Sequence, residues 1–296
     1  DISHVPSLIG QVLEFTVSTQ QGVLPSRVDN AKISLWLRNS QTLMAYQRTH
    51  HSMSRGGVET ETSWKRDWLD LTLDGLTLRF EQKEKELTLI EISPEADAKT
   101  DDLQALRSAI IRALSLLFMQ RLSPVMSGLT FAGGQTLTLH PPHRSPRGSR
   151  FVDADGSAEV EWLSRAIPFF AKDTELSRRT WSALEQVLDA HGQFRPVLTC
   201  VAIEHLARAY WYSTMGRGKA KFGMVKKLSE ILETMEQPFL PDELEVWRWY
   251  RDGSLHGNDE FLDCEPKKRL ESFEKLDTLL YRLLIGIVEY RGCWSP

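Results

Sequence analysis

Arg251 and His256 stand five positions apart in Arg251-Asp252-Gly253-Ser254-Leu255-His256, near the end of the chain. Arginine carries a permanent, forked charge that fits phosphate, and histidine is the side chain that titrates near neutrality. Together they are enough to cleave a phosphodiester without a metal ion. Of the eight histidines, His256 alone has an arginine five positions before it. On a straight helix two such positions are offset by about 140° and about 7.5 Å in rise, so they do not share a face. Two chains, or local unwinding at Gly253, would have to bring them to one phosphate; glycine costs a helix about 1 kcal/mol relative to alanine. The bland alternative is a surface ion pair of Arg251 with Asp252 or Glu245, and a helix cap for His256.

The elements that must carry this pair change character near residue 150. Upstream, Val12 to Ser18, Lys32 to Leu37, Leu69 to Leu73, Leu76 to Glu81, Glu86 to Ser93 and Gly134 to His140 have the texture of strands. Asp74-Gly75 between two such runs signals a hairpin. The stretch His50 to Thr62, with His50-His51, is polar and Gly-containing and reads as a loop. Thr100-Asp101-Asp102 caps a helix whose apolar positions run from Leu103 to Phe118 and which stops before Pro124. Residues 141–157 are rich in Pro, Gly, Ser and Arg and read as a linker. Beyond them the spacing predicts helices at 158–171 (with Pro168 as a kink point), 174–191, 195–213, 221–236, 241–252 and 266–291. The expected fold is α+β with two domains: a β-rich domain at 1–140 and an all-α bundle at 158–296. Leu270, Phe273, Leu276, Leu280, Leu283, Ile287 and Tyr290 form the packing face of the last helix.

Composition bounds the function. Of the residues, 41% are hydrophobic and 26% charged, as in a globular protein, and the net charge of −4 speaks against general nucleic-acid coating. Cys200, Cys264 and Cys293 are too scattered for a disulfide framework or a zinc site, and they suit a reducing cytoplasm. No bilayer-length apolar run is present, and residues 1–25 lack the pattern of a signal peptide. The chain opens on Asp1, which leaves room for an upstream piece. A basic run of Arg208, Arg217, Lys219, Lys221, Lys226 and Lys227 lies between Glu204 and Glu230. In it, Gly216 to Lys221 is either a phosphate-collecting loop or an ordinary solvated one. Trp211, Trp247, Trp249 and Tyr250 are expected in the core rather than under nucleobases.

The helical half resembles the HEPN superfamily, compact bundles marked by an arginine-x4–6-histidine motif. Arg251 to His256 fits that motif, with Asp252 at the small polar position after the arginine. Val201-Ala202-Ile203-Glu204-His205-Leu206 fits the upstream helix that carries an acid in an apolar run. A β-rich domain ahead of the bundle is similar to ApeA-like anti-phage defence proteins.

The resemblance implies a metal-independent, cofactor-free endoribonuclease, acting as a homodimer on RNA such as tRNA. Attack by the 2′-hydroxyl would leave a cyclic phosphate. Arg251, His256 and Asp252 would be catalytic, Glu204 supporting, and Arg217, Lys219 and Lys221 substrate-binding. The setting would be cytoplasmic abortive infection by a toxin-like enzyme, held inactive until a phage-derived trigger acts through the N-terminal domain. The alternative is a catalytically inactive HEPN-fold dimerisation, adaptor or nucleic-acid-binding module.

Overall fold

The computed structural model describes residues 15–18, 27–28, 31–38, 48–55, 58–65, 68–73, 75–84, 87–94, 98–131, 134–141, 156–192, 194–216, 223–256, 266–292 and 294. The fold is α+β, and the chain divides into two compact units. The first comprises residues 1–107 with 122–144, the second 108–121 with 145–296.

The first unit is built on a seven-stranded antiparallel sheet. Its strands are β1 (Phe15–Ser18), β3 (Lys32–Arg38), β6 (Trp68–Leu73), β7 (Leu76–Glu84), β8 (Leu87–Pro94), β10 (Pro124–Phe131) and β11 (Gly134–Leu139). Their spatial order is β1-β11-β10-β3-β8-β7-β6. Period-two patterning explains the burial: Ile33, Leu35 and Leu37 of β3, and Leu78 and Phe80 of β7, are buried with exposed or half-buried residues between them. Leu73 pairs with Leu76 around Asp74-Gly75, where Gly75 has φ 78°, the left-handed conformation glycine adopts without steric cost. Across that hairpin Arg79 grips Asp70 through two hydrogen bonds of 2.7 and 2.9 Å, as directly opposed opposite charges should.

Two short ladders accompany the sheet: β2 (Arg27–Val28) with β9 (Ala98–Lys99), and β4 (Arg48–Arg55) with β5 (Val58–Lys65). The second corrects the expectation of a loop, since His50 and His51 lie on β4, opposite Ser63 and Thr62. The Thr and Val content of β5 favours a strand despite its polarity. β10 is a central strand that the pattern did not announce. Pro124 is tolerated there because it is the first residue of the strand, at a register shift before Met126.

Helix α1 (Thr100–Leu117) follows β9, and its residues from Ser108 onward group with the helical unit. There Trp162 Nε1 donates to Ala113 O at 2.9 Å, and Arg121 pairs with Asp189 and, at 2.7 Å, with Glu185. The further helices are α2 (Gly156–Ala171), α3 (Glu175–Asp189), α4 (Phe194–Ser213), α5 (Met224–Thr234), α6 (Pro241–His256) and α7 (Pro266–Val288). Helix α2 continues through Pro168, and Thr174 caps α3 by accepting the Ser177 amide at 3.1 Å. The core holds Trp162, Phe170, Trp211, Trp247, Tyr250 and Tyr290, with Leu276, Leu280, Leu283 and Ile287 of α7. Leu270, expected on that face, is instead 59% exposed. Gly286 permits close approach: a Cβ there would sit 2.9 Å from Cβ and Cγ of Met235. No helix among the described residues is long and apolar enough to cross a membrane.

Candidate active site at the α4–α6 contact

Helix α4 packs against α3, α5, α6 and α7. Its sequence is apolar nearly all round, with Thr199, Cys200, Ala202, Ile203, Leu206, Ala207, Ala209 and Trp211 buried, as a central helix requires. An acid in such a helix is costly unless paired. Glu204 is that acid. Its side chain is 17% exposed and is held by two arginines. Oε2 accepts from Arg251 Nε on α6 at 3.1 Å, and Oε1 from Arg208 Nη2, one turn further along α4.

The two helices meet in parallel register. Cys200 lies against Trp247 and Glu204 against Arg251, so each pair is one turn beyond the last. Trp247 Nε1 donates to Cys200 O at 3.3 Å, which anchors the indole on the α4 backbone. The Arg251 guanidinium then lies 5.8 Å from the Trp247 ring centre, within range of a cation–π attraction. Asp252 Oδ1 approaches Arg251 Nη1 at 3.4 Å, and its Oδ2 lies 3.6 Å from Arg248 Nε. The Arg251 side chain is 35% exposed. Burial pushes the Cys200 thiol well above its ordinary range, although the Arg251 charge pulls the other way. That makes Cys200 a packing residue rather than a nucleophile.

Glu204, Arg251 and Asp252 therefore converge. The motif backbone is helical through His256. This corrects the expected end at residue 252 and removes local unwinding at Gly253 as a route to convergence. Gly253 is buried, so tertiary packing outweighs its weak helix propensity. The side chain of His256, and Arg217, Lys219 and Lys221, lie outside the described residues. So do Cys264, Cys293 and nearly all of the 141–157 segment.

Trp211, Trp247 and Tyr250 are core residues as expected, while Trp249 is half-buried and stands edge-on to Tyr250. Of the basic run, Lys227 is buried with its ammonium 5.4 Å from the Trp211 ring centre, so it packs rather than collects phosphate. Arg208 was legible as a basic residue but not as part of the site. Its signal is the Glu204-to-Arg208 spacing of four, which pairs side chains on a helix. Among the described residues, no group of three or more His, Cys, Asp or Glu could hold a metal ion. Comparison with family models, with curated proteins and with solved structures found no match to this chain in any of the three.

Proposed function

We propose that this chain is a metal-independent HEPN-type endoribonuclease. The observation that carries the reading is the Glu204–Arg251 pair. It fixes a partly exposed guanidinium at the arginine of an arginine-x4-histidine motif, inside a helical bundle. In the proposed reaction the RNA 2′-oxygen attacks its own phosphorus and the bond to the 5′-oxygen breaks. The 2′-hydroxyl proton passes to a base and the leaving oxygen receives one, leaving a 2′,3′-cyclic phosphate and a 5′-hydroxyl. His256 moves the proton, an effect of typically about 10²–10⁴-fold. Arg251 holds the non-bridging oxygens as charge develops on them. Glu204 and Trp247 position Arg251, and Asp252 orients it from the side.

Helical continuity from Arg251 to His256 keeps these positions about 140° apart. A homodimer therefore fits the chemistry better than one chain acting alone, with each protomer giving part of the site. On this reading the enzyme serves prokaryotic anti-phage defence in the cytoplasm. The N-terminal unit receives a phage-derived signal, and Arg217, Lys219 and Lys221 gather RNA. A silent HEPN-fold binding module is the second reading. It is supported by the two carboxylates, Glu204 and Asp252, that already flank Arg251.

The test is cleavage of tRNA and bulk RNA in EDTA by the wild type, His256→Ala and Arg251→Lys. Loss of at least about 10²-fold in His256→Ala with a folded protein supports the enzyme. Equal trace cleavage by all three supports the silent module.

A further inference from the structure

We infer that Arg208 is a second phosphate-binding arginine of this site, contacting an RNA phosphate next to the one held by Arg251. The inference rests on the ribonuclease reading and adds a substrate contact to it.

Three observations carry it. Glu204 divides its carboxylate, one oxygen to Arg251 and the other to Arg208, so one acid pairs with two guanidinium groups from neighbouring helices. The parallel register of α4 and α6, with 200 against 247 and 204 against 251, runs toward Arg208 on α4 and toward the histidine end of the motif on α6. Arg208 is also 54% exposed, and no acid follows it until Glu230.

Charge points the same way. Among the described residues, ion pairs set three arginines, Arg208, Arg248 and Arg251, against two carboxylates, Glu204 and Asp252, in a chain of net charge −4. An exposed ion pair of this kind contributes little to stability. A phosphate oxygen can therefore recruit the Arg208 guanidinium at small cost, whereas Arg251 stays fixed by Glu204 and the Trp247 ring. Two arginines spaced by one carboxylate suit successive phosphates of a single strand, which each give bidentate acceptors.

The experiment uses full-length protein carrying His256→Ala, so that RNA is bound and not cut. A fluorescently labelled single-stranded RNA is titrated at several NaCl concentrations. Adding Arg208→Ala is expected to weaken binding about 5- to 10-fold at 0.1 M salt. It should also reduce the slope of log K against log salt by about 0.7, the loss of one phosphate contact. Arg208→Lys should keep the slope. Arg179→Ala is the matched control, because Arg179 is as exposed as Arg208 and also pairs with an acid four residues earlier on its own helix, Glu175 on α3, and it should change neither quantity. If Arg208→Ala behaves like Arg179→Ala while the parent binds RNA, Arg208 is a surface ion pair and the inference is overturned. If the parent itself binds no RNA, the ribonuclease reading falls and takes this inference with it.

Discussion

Two glutamate–arginine pairs in the helical unit are built from the same parts and end in different states. Glu243 on α6 takes Arg282 of α7 through both Nε and Nη2, at 3.1 and 3.2 Å, with the Trp294 ring centre 5.2 Å from the guanidinium. Glu243 also accepts the Leu240 amide at 3.2 Å, closing the first turn of α6. The two side chains are 4% and 15% exposed. Glu204 and Arg251 likewise share a tryptophan, but Arg251 meets the acid through Nε and keeps a third of its surface in water. The bidentate, closed pair is a structural clamp. The open pair presents a positioned guanidinium to solvent, which is what anion binding needs.

The largest test of this contrast is to break the closed pair. Glu243→Ala strips the buried Arg282 of the carboxylate that takes its Nε and Nη2 and removes the α6 cap. Denaturant unfolding should show a loss of about 3–5 kcal/mol. A loss under about 1 kcal/mol would mean that the two pairs do not differ in kind.

A third pair, Arg195–Asp277, sharpens the comparison because it is enclosed but poorly satisfied. It spans α4 and α7 at 3.1 Å, yet Arg195 Nε and Asp277 Oδ1 are buried without partners among the described residues. Burial pushes the Asp277 carboxyl up to about 6, against the opposing pull of Arg195. The unfolded state then loses its proton first. This contribution to stability is full below pH 3.8, falls as pH rises to about 6, and is flat above that. The swing is about 3 kcal/mol. Unfolding measured across that window should lose this component in Asp277→Asn. Parallel pH curves for variant and wild type would contradict it.

The open pair should matter less to stability and more to chemistry. Glu204→Gln is expected to cost about 1 kcal/mol in unfolding, because Arg251 and Arg208 can turn to water. RNA cleavage should fall at least about 10-fold. Smallest of all, Arg179→Ala on α3, which breaks a solvent-exposed pair with Glu175, should leave the unfolding midpoint and RNA cleavage unchanged. An activity loss there would mean that the assay reads folding rather than the site.

Much of this architecture is legible in the residues. Alternation marks β3, β6, β7 and β8, and three- and four-residue spacing marks the helices other than α4, because each of these elements buries one face or stripe, whereas α4 is apolar nearly all round. β10 is hidden by Pro124 and Gly128, which lower strand propensity but are placed where its pairing tolerates them. β4 and β5 are hidden by polar residues in a ladder whose register spans Arg48 to Lys65. The end of α6 is not legible at Gly253, because a glycine's cost is local whereas the packing that offsets it is tertiary.

At the site, the motif and Glu204 are readable, since a lone acid in an apolar helix asks for a partner. The partner's identity, the Trp247 platform and the role of Arg208 depend on the parallel register of α4 and α6, which no local spacing encodes. Nor does spacing show that residues 108–121 belong to the helical unit, where Ala113 and Arg121 bind α2 and α3.

A substituted RNA tests the proposal that the substrate's own 2′-oxygen is the nucleophile. Once a preferred cut is mapped, the same oligonucleotide is made with a single 2′-deoxy nucleotide on the 5′ side of that bond. Cleavage at this bond should disappear while neighbouring cuts persist, and the unmodified product should end in a cyclic phosphate. Unchanged cleavage of the deoxy-substituted bond would contradict it.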